Sequence, residues 1–424
     1  MDWAEAYKRL VDFIDRYDKD RSFRFEGDLR DRFYRLEARV KKAVVYEAVG
    51  GLLKTAFEWV RYFKEAIEDI KELSGSKEVL LSRELKSFVE NPYLHLTKKI
   101  MFYLHDALRN VISMDEFKEK AFAAVKTSLR TNMRTIYQDW IILNLLYLIL
   151  KDGGMIVYPE NKVISLERSR AQRIGWIPPN VVVKVKGSKY LSIFIEAPRP
   201  VGWEDSKDLR RIWKLYTALR PDIMVYSGRV MNIFQPDSDP PIKKPDLIIE
   251  VKELHDWYAR IREVRGPFAK PLTVEEWRNM WIEGLWSGLA GILGVERKVE
   301  KEDGSERKVR RLRDVDIVKL YKALYQPKNL IVITRVRTPK TIKNILNEDG
   351  IVVFDSIKFN RDMLHPVKNL LYNYAGEAGE LNIRITGALY RRIIDVSKRL
   401  NIEPEDLISK FIEYGLENYT SIIN

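Results

Sequence analysis

The amino-acid sequence predicts an α/β protein with an all-helical N-terminal region, a mixed-sheet core and a small C-terminal module. Three observations support this prediction. Apolar residues recur at helical spacing through roughly the first 150 residues, and short β-branched runs then alternate with helical stretches. A glycine-rich segment precedes the last part of the chain. We therefore divide the 424 residues at 1–152, 153–374 and 380–424, which allows for more than one core.

The N-terminal region has the periodicity of amphipathic helices. Apolar stripes run from Trp3 to Ile14, through 43–73 and through 96–112. His95 and His105 are interpreted as ordinary helix residues rather than as a pair of metal ligands. The region is a candidate for clamping DNA or binding a partner, and a purely structural role is equally compatible with the sequence.

The central region alternates predicted strands with predicted helices. The strands are 181–185, 190–195, 223–226, 247–251, 330–334 and 351–354. The helices are 204–219, 273–292, 314–325 and 339–347. This order predicts a mixed α/β sheet. The charge-dense segment 296–314, with Asp303-Gly304 at its centre, is expected to be a solvated hairpin or loop.

Composition and charge narrow the function. The net charge of +13 attracts polyanions, so nucleic acid is the expected partner. The absence of cysteine excludes disulfides, thiolate metal sites and cysteine nucleophiles. Abundant Lys, Glu and Ile resemble the composition of a protein from a hot environment. Met1–Glu5 lacks the pattern of a secretory signal and no apolar run is long enough to span a bilayer, so we expect a cytoplasmic location.

Two predicted strands carry the residues that suggest chemistry. Pro221-Asp222 opens one strand, and Pro245–Lys252 contains the other. Alternation along the second strand places Glu250 and Lys252 on one face. Charged side chains on an otherwise apolar strand are costly to bury unless they are paired or bind a ligand. These positions therefore call for a functional explanation.

Phosphodiester cleavage would explain them, because a hard divalent ion needs oxygen ligands and the transition state needs added positive charge. Asp222 and Glu250 are the candidate ligands for Mg²⁺ or Mn²⁺, together with the main-chain oxygen of Val251. Lys252 is the candidate group that orients or deprotonates the attacking water and stabilises the developing phosphorane charge.

These residues resemble the motif of the PD-(D/E)xK nuclease superfamily, which includes many restriction endonucleases and DNA-repair nucleases. The match is Pro221-Asp222 followed by Glu250-Val251-Lys252, within about residues 155–360. The resemblance implies a restriction endonuclease-like core, metal binding by Asp222 and Glu250, and a catalytic Lys252. It implies a metal-dependent DNA endonuclease.

Alternatives remain at this stage. The interval from Asp222 to Glu250 is long, and Asp246 follows a second proline and shares the Glu250 face by parity, so it is an alternative or additional metal ligand. Glu196, at the end of another strand, is a third acidic candidate. Glu250 and Lys252 alternatively form a surface salt bridge. Activity on RNA, or DNA binding without cleavage, also fits the motif.

Basic residues flank this core. Arg335, Arg337 and Lys340 fall at a strand end and a helix start, where phosphates are often bound, and Lys343 follows them. A second basic group contains Arg168, Arg170 and Arg173, with Trp176. Either group is alternatively a solvated face. His255, just after the motif, is a weaker candidate for proton transfer.

The C-terminal module follows a predicted flexible linker at 375–380. A strand at 381–385 and two amphipathic helices resemble a ribbon-helix-helix domain, whose paired strands enter the major groove of DNA. The resemblance implies that Asn382, Arg384 and Thr386 face bases. A strand and two short helices cannot close a core alone, so we expect a homodimer. Basic and acidic residues balance in this module, so dimerisation or protein binding is the alternative role.

Overall fold

The computed structural model describes residues 2–168, 176–197, 199–203, 213–216, 220–235, 242–263, 311–377 and 387–400, with further residues between 402 and 415. Residues Met1–Gly379 form one compact unit, and Glu380–Asn424 form a second. Several predictions lie outside the described residues. They are the helix at 273–292, most of the segment 296–314, Arg170, Arg173, and the strand at 381–385 with Asn382, Arg384 and Thr386.

The N-terminal region is helical, as predicted. Its helices are α1 (Trp3–Tyr17), α2 (Gly27–Ser74), α3 (Arg83–Glu90), α4 (Pro92–Lys98), α5 (Met101–Leu108) and α6 (Met114–Lys151). A capping box starts α6, because Ser113 and Glu116 each accept a hydrogen bond from the other's backbone N–H. The predicted apolar run 140–150 lies in the second half of α6 and is almost entirely buried. No described helix is both long enough and apolar enough to cross a membrane.

The remaining elements are strands and shorter helices. The strands are β1 (Glu78–Leu80), β2 (Met155–Tyr158), β3 (Val163–Ser165), β4 (Val181–Lys184), β5 (Tyr190–Ile195), β6 (Arg199–Trp203), β7 (Trp213–Tyr216), β8 (Ile223–Ser227), β9 (Leu247–Lys252), β10 (Ile261–Glu263), β11 (Arg311–Arg313), β12 (Asn329–Thr334) and β13 (Ile351–Phe354). The helices are α7 (Asp314–Tyr325), α8 (Lys340–Glu348), α9 (His365–Asn373) and α10 (Gly387–Leu400).

A mixed sheet of seven strands organises the first unit. Its strand order is β13-β12-β9-β8-β5-β4-β2. Strands β13, β12 and β9 are parallel, whereas each pair from β9 to β2 is antiparallel. The six predicted strands all occur in this sheet, and predicted helices 314–325 and 339–347 are α7 and α8. The α/β class with a helical N-terminal region is therefore confirmed.

Both faces of the sheet are covered, which explains the nearly continuous apolar strands. One hydrophobic cluster joins α1, α2 and α6 to the face that carries Ile249 and Val251. A second cluster places α7 against the opposite face, which carries Ile248. The predicted boundary at 152/153 matches the end of α6, but the helical region and the sheet share a core. They form one unit rather than two.

Two local predictions are wrong. Within the predicted helix 204–219, residues Trp213–Tyr216 form β7, which pairs antiparallel with β6. The predicted linker is bound to the sheet at Gly376, whose N–H donates to Tyr190 O over 3.1 Å. A Cβ at Gly376 would collide with Ser227 Oγ. This glycine therefore permits a close approach of the backbone rather than flexibility.

The second unit contains α10, which was predicted as an amphipathic helix. Leu389, Tyr390 and Leu400 are each 55% exposed within the single chain. Further along, Phe411 and Tyr414 are exposed as well. Several described apolar residues of this unit are thus incompletely covered by the chain itself, whereas Leu407 is buried.

Candidate active site

The register of β8 and β9 brings the predicted acidic residues together. Ile223 lies opposite Ile249, so Asp222, one residue earlier, lies opposite Glu250. The Asp222 N–H donates to Glu250 Oε2 over 3.2 Å, and the Val251 N–H donates to Asp222 Oδ2 over 2.8 Å. Asp222 is 6% exposed and Glu250 is 3% exposed. Two buried carboxylates therefore share one end of two neighbouring strands.

Lys252 completes this group. Its Nζ donates to Glu250 Oε1 over 2.7 Å, and both side chains are 4% exposed. The same Nζ lies 5.9 Å from the ring centroid of Trp257. The pair is therefore buried rather than a surface salt bridge. Such a pair is weak support for stability, because desolvation of both charges offsets their attraction.

The electrostatics of Glu250 show that its negative charge is incompletely balanced. Burial, together with the charge of Asp222, raises the pKa of Glu250 to about 7, although Lys252 acts in the opposite direction. A nearby like charge disfavours ionisation, and a bound cation reverses that effect. A divalent cation at this point would relieve the repulsion between the two carboxylates.

Glu196 extends the row of acidic residues to a third strand. It directly follows β5, and its N–H donates to Asp222 O over 3.0 Å. The φ of Glu196 is 42°, in the left-handed region. The regular alternation of side chains along β5 therefore ends at this residue. Its carboxylate contacts Arg134 at 3.8 Å and Arg168 at 2.5 Å. In the described part of the chain, no three histidine or acidic side chains converge as a metal site.

Arg134 is a residue that the sequence analysis missed. It lies on α6, and its side chain is 28% exposed. Burial opposes its charge, but Asp222, Glu196, Glu253 and Glu250 together raise the pKa of Arg134. Helix α6 thus supplies a guanidinium to the acidic end of the strands.

Neighbouring residues of α6 add buried polar atoms. Tyr137 Oη, Gln138 Oε1 and Asp139 Oδ2 are buried and have no hydrogen-bond partner within the described part of the chain. Burial and the charge of Glu196 raise the pKa of Asp139 well above its ordinary value. Glu253 Oε1, after β9, is buried in the same way. Buried polar atoms of this kind are typical of sites that bind water, ions or ligands.

Asp246 lies at the opposite end of β9. Four residues separate it from Glu250, or roughly 13 Å along an extended strand. Its Oδ2 accepts a hydrogen bond from the Ser227 N–H over 2.6 Å, and its Oδ1 lies 2.6 Å from Lys328 Nζ. The structure therefore does not bring Asp246 to the Asp222–Glu250 pair.

The basic residues after β12 differ in how accessible their side chains are to a ligand. Arg335 Nε donates to Glu253 O over 2.8 Å, and its guanidinium lies 5.0 Å from the ring centroid of Trp59. Arg335 therefore contributes to the fold beside the site. Arg337 and Lys340 are exposed, and Lys340 begins α8.

The other candidates have individual surroundings. Arg168 contacts Glu196, as described above, and Trp176 is 37% exposed. The side chain of His255 is 82% exposed and lies 3.8 Å from Asp256. His95 contacts Ser128 and His105 contacts Glu37, each at 3.0 Å, so the two histidines have separate partners.

Comparison with known proteins adds no further assignment. No family model matches the chain, and no curated protein or solved structure matches it.

Proposed function

We propose that this chain is a metal-dependent endonuclease that hydrolyses phosphodiester bonds of DNA on a restriction endonuclease-like core. One observation carries the proposal: Asp222 and Glu250 lie side by side and buried at a strand end, with Lys252 bonded to Glu250. The resemblance of Pro221-Asp222 and Glu250-Val251-Lys252 to the PD-(D/E)xK motif supports the same function.

The residues fit a hard divalent cation. Asp222 and Glu250 provide carboxylate oxygens, which Mg²⁺ and Mn²⁺ prefer, and Val251 would add its main-chain oxygen. Within the described part of the chain, Asp222 Oδ1 has no hydrogen-bond partner, so it is available as a ligand. When bound, the ion would polarise the scissile phosphate and lower the pKa of water.

The protein groups would perform the positioning and the charge stabilisation. The hydrogen bond from Val251 N–H holds the Asp222 carboxylate beside Glu250. Lys252 would orient the attacking water and stabilise the negative charge that develops on the phosphate. Arg134 would provide a second positive charge at the same strand end. Because the site is buried, its effective dielectric constant is lower than that of water, and each of these electrostatic interactions is stronger.

Exposed Arg337 and Lys340 would contact the DNA backbone, and Arg335 would hold the start of this segment through its hydrogen bond to Glu253 O. In the C-terminal unit, Asn382, Arg384 and Thr386 would contact bases through a paired ribbon. The incompletely covered Leu389, Tyr390 and Leu400 support a homodimer formed by this unit.

Deleting residues 381–424 should then yield a monomer by light scattering. A truncated chain that remains an equally tight dimer would exclude this role.

The function is tested by incubating the purified full-length protein with supercoiled plasmid, linear duplex and RNA, in Mg²⁺, Mn²⁺ or EDTA. Metal-dependent conversion of plasmid to nicked or linear forms supports the proposal. Equal cleavage in EDTA would contradict the metal requirement. Metal-dependent cleavage of RNA alone would assign an RNA nuclease instead.

A second candidate is a nucleic-acid-binding protein that does not cleave. The hydrogen bond between Lys252 and Glu250 favours this second candidate. It occupies both the ammonium group proposed for catalysis and one of the carboxylate oxygens proposed to bind metal. Tight DNA binding without cleavage in either metal would support this candidate.

A further inference from the structure

A concave surface between α1 and α2 carries a high density of arginine. Its volume is about 500 Å³, and five of its described lining residues are arginines. The lining residues are Arg9, Asp12, Phe13, Arg16, Tyr17, Arg32, Arg35, Leu36 and Arg39. We call this surface the arginine cleft. Asp12 is the only carboxylate among the described residues that line it.

The arginines recur on one face of each helix. On α2 they lie at Arg32, Arg35 and Arg39, which are spaced by three and four residues and are therefore neighbours on the helix surface. Like charges at this spacing destabilise a helix. Five guanidinium groups beside a single carboxylate, that of Asp12, are therefore unfavourable unless further anions balance their charge.

Few carboxylates among the described residues neutralise this charge. Arg9 pairs with Glu5, with 2.5 Å between the charged atoms. Within the described part of the chain, the other four cleft arginines have no ion pair with a carboxylate, and all four are exposed. A concave surface lined by one sign of charge concentrates the field and attracts counter-ions.

Aromatic rings lie beneath and beside the arginines. The Arg32 guanidinium is 5.5 Å from the ring centroid of Phe13, which is buried. The Arg16 guanidinium is 5.4 Å from the ring centroid of Tyr17, which is 40% exposed. Exposed aromatic rings beside basic residues are the combination that binds the bases and phosphates of nucleic acid strands.

We propose that the arginine cleft binds the phosphate backbone of a polynucleotide. Guanidinium groups recognise phosphate oxygens in a bidentate manner, and two facing rows suit a chain of phosphates. This binding deepens the proposed nuclease function by assigning a second contact for the same substrate, and only that link to the substrate rests on the proposed function. The cleft would bind the substrate and take no part in the chemical step.

The position of the cleft predicts how long that substrate must be. Arg39 and Trp59 are separated by 20 residues of α2, or about 30 Å. Trp59 contacts Arg335, the residue that follows β12 beside Lys252. A duplex needs roughly nine base pairs to cover that distance. Duplexes of six base pairs should therefore be insensitive to the cleft when they occupy the strand-end site.

The test measures binding by fluorescence anisotropy with full-length protein in EDTA, using labelled 30-base-pair DNA. The variant Arg35→Gln/Arg39→Gln removes two charges from the cleft. The matched control, Lys186→Gln/Lys189→Gln, removes two exposed charges from the turn between β4 and β5, at the end of β5 opposite Glu196. We expect the cleft variant to bind about tenfold or more weakly and the control to change less than about twofold. Arg35→Lys/Arg39→Lys should recover part of the affinity.

The salt dependence provides an independent readout. Losing two phosphate contacts should reduce the slope of log affinity against log salt by about 1.8 for a duplex. Equal weakening by the cleft and control variants, or no weakening by the cleft variant, would overturn the inference. Equal competition by polyglutamate at matched charge would also overturn it, since the cleft would then accept any polyanion.

The two proposals fail in different ways. Glu250→Gln should abolish cleavage yet retain cleft-dependent DNA binding. If neither the native chain nor any variant cleaves, but Arg35→Gln/Arg39→Gln still weakens DNA binding selectively, the nuclease proposal fails and polynucleotide binding by the cleft stands alone. If cleavage is normal and the cleft variant binds normally, the cleft proposal fails.

Discussion

The two Pro-Asp pairs of this chain each precede an apolar strand but have different surroundings. Asp246, at the start of β9, accepts a backbone hydrogen bond and pairs with Lys328, so its charge is satisfied. Asp222, just before β8, lies against Glu250, and its charge adds to the effect of burial in raising the pKa of Glu250. The comparison shows that position relative to adjacent strands, rather than the dipeptide, distinguishes a structural carboxylate from a candidate metal ligand.

The largest expected effect is the loss of Glu250. We expect Glu250→Gln to reduce metal-dependent DNA cleavage by about a thousandfold or more, because the charged ligand is lost while shape and a hydrogen-bond acceptor for Lys252 remain. The exposed Glu348→Gln on α8 serves as the control and should cleave normally. Initial rates on supercoiled plasmid measure both. Cleavage by Glu250→Gln within threefold of the native rate would remove this residue from the site.

Lys252→Met should lower the cleavage rate by about a hundredfold or more and leave the Kd for DNA within about threefold, because its charge matters most in the transition state. Removing Lys252 also removes a positive charge that favours ionised Glu250. The pH at which activity rises should therefore shift upward in this variant. Equal losses of binding and turnover would identify Lys252 as a simple phosphate contact.

The raised pKa of Glu250 predicts how stability depends on pH without metal. Its folded-state pKa of about 7 exceeds its ordinary value of 4.5, so the folded protein retains a proton that the unfolded chain loses between those values. The metal-free protein should therefore lose stability as pH rises from about 4.5 to about 7, by on the order of 3 kcal/mol. Urea unfolding in EDTA at pH 5 and pH 8 measures this change. Glu250→Gln should flatten the dependence, and an unchanged slope in that variant would assign it to other groups.

The smallest effect on activity is expected at the other end of β9. Asp246→Asn should leave cleavage within about threefold, because its carboxylate is roughly 13 Å from Glu250 along the strand. The free energy of unfolding of this variant should fall by only about 1 kcal/mol, because Lys328 is 73% exposed and solvent screens the Asp246–Lys328 ion pair. A large loss of activity with normal folding would restore Asp246 as a metal ligand.

Much of the fold could be predicted from the sequence because its strands are locally distinct. Runs such as Ile223–Tyr226 and Leu330–Thr334 are β-branched and follow proline or polar turn residues, so periodicity and composition suffice. The sequence pattern does not show that the helical region and the sheet share a core. An amphipathic helix has one buried face whether it packs on helices or on a sheet, and the pattern does not identify its partner.

The site could be predicted only in part. The motif residues Glu250 and Lys252 follow from alternation, but the placement of Asp222 opposite Glu250 depends on strand register, which long connections leave unspecified. Arg134 has no local signature because the region around it is rich in basic residues. Gln138 and Asp139 did carry a signal: they interrupt an otherwise apolar stretch of α6 and are buried there.

Direct titration of Mn²⁺ into the full-length protein at pH 8 tests the central claim without relying on activity. Calorimetry should be performed on the native chain, Asp222→Asn and Asp246→Asn under identical conditions. We expect binding to the native chain that is lost or weakened at least tenfold in Asp222→Asn and retained in Asp246→Asn. Equal binding by all three proteins, or selective loss in Asp246→Asn, would contradict the assignment of the metal site to Asp222 and Glu250.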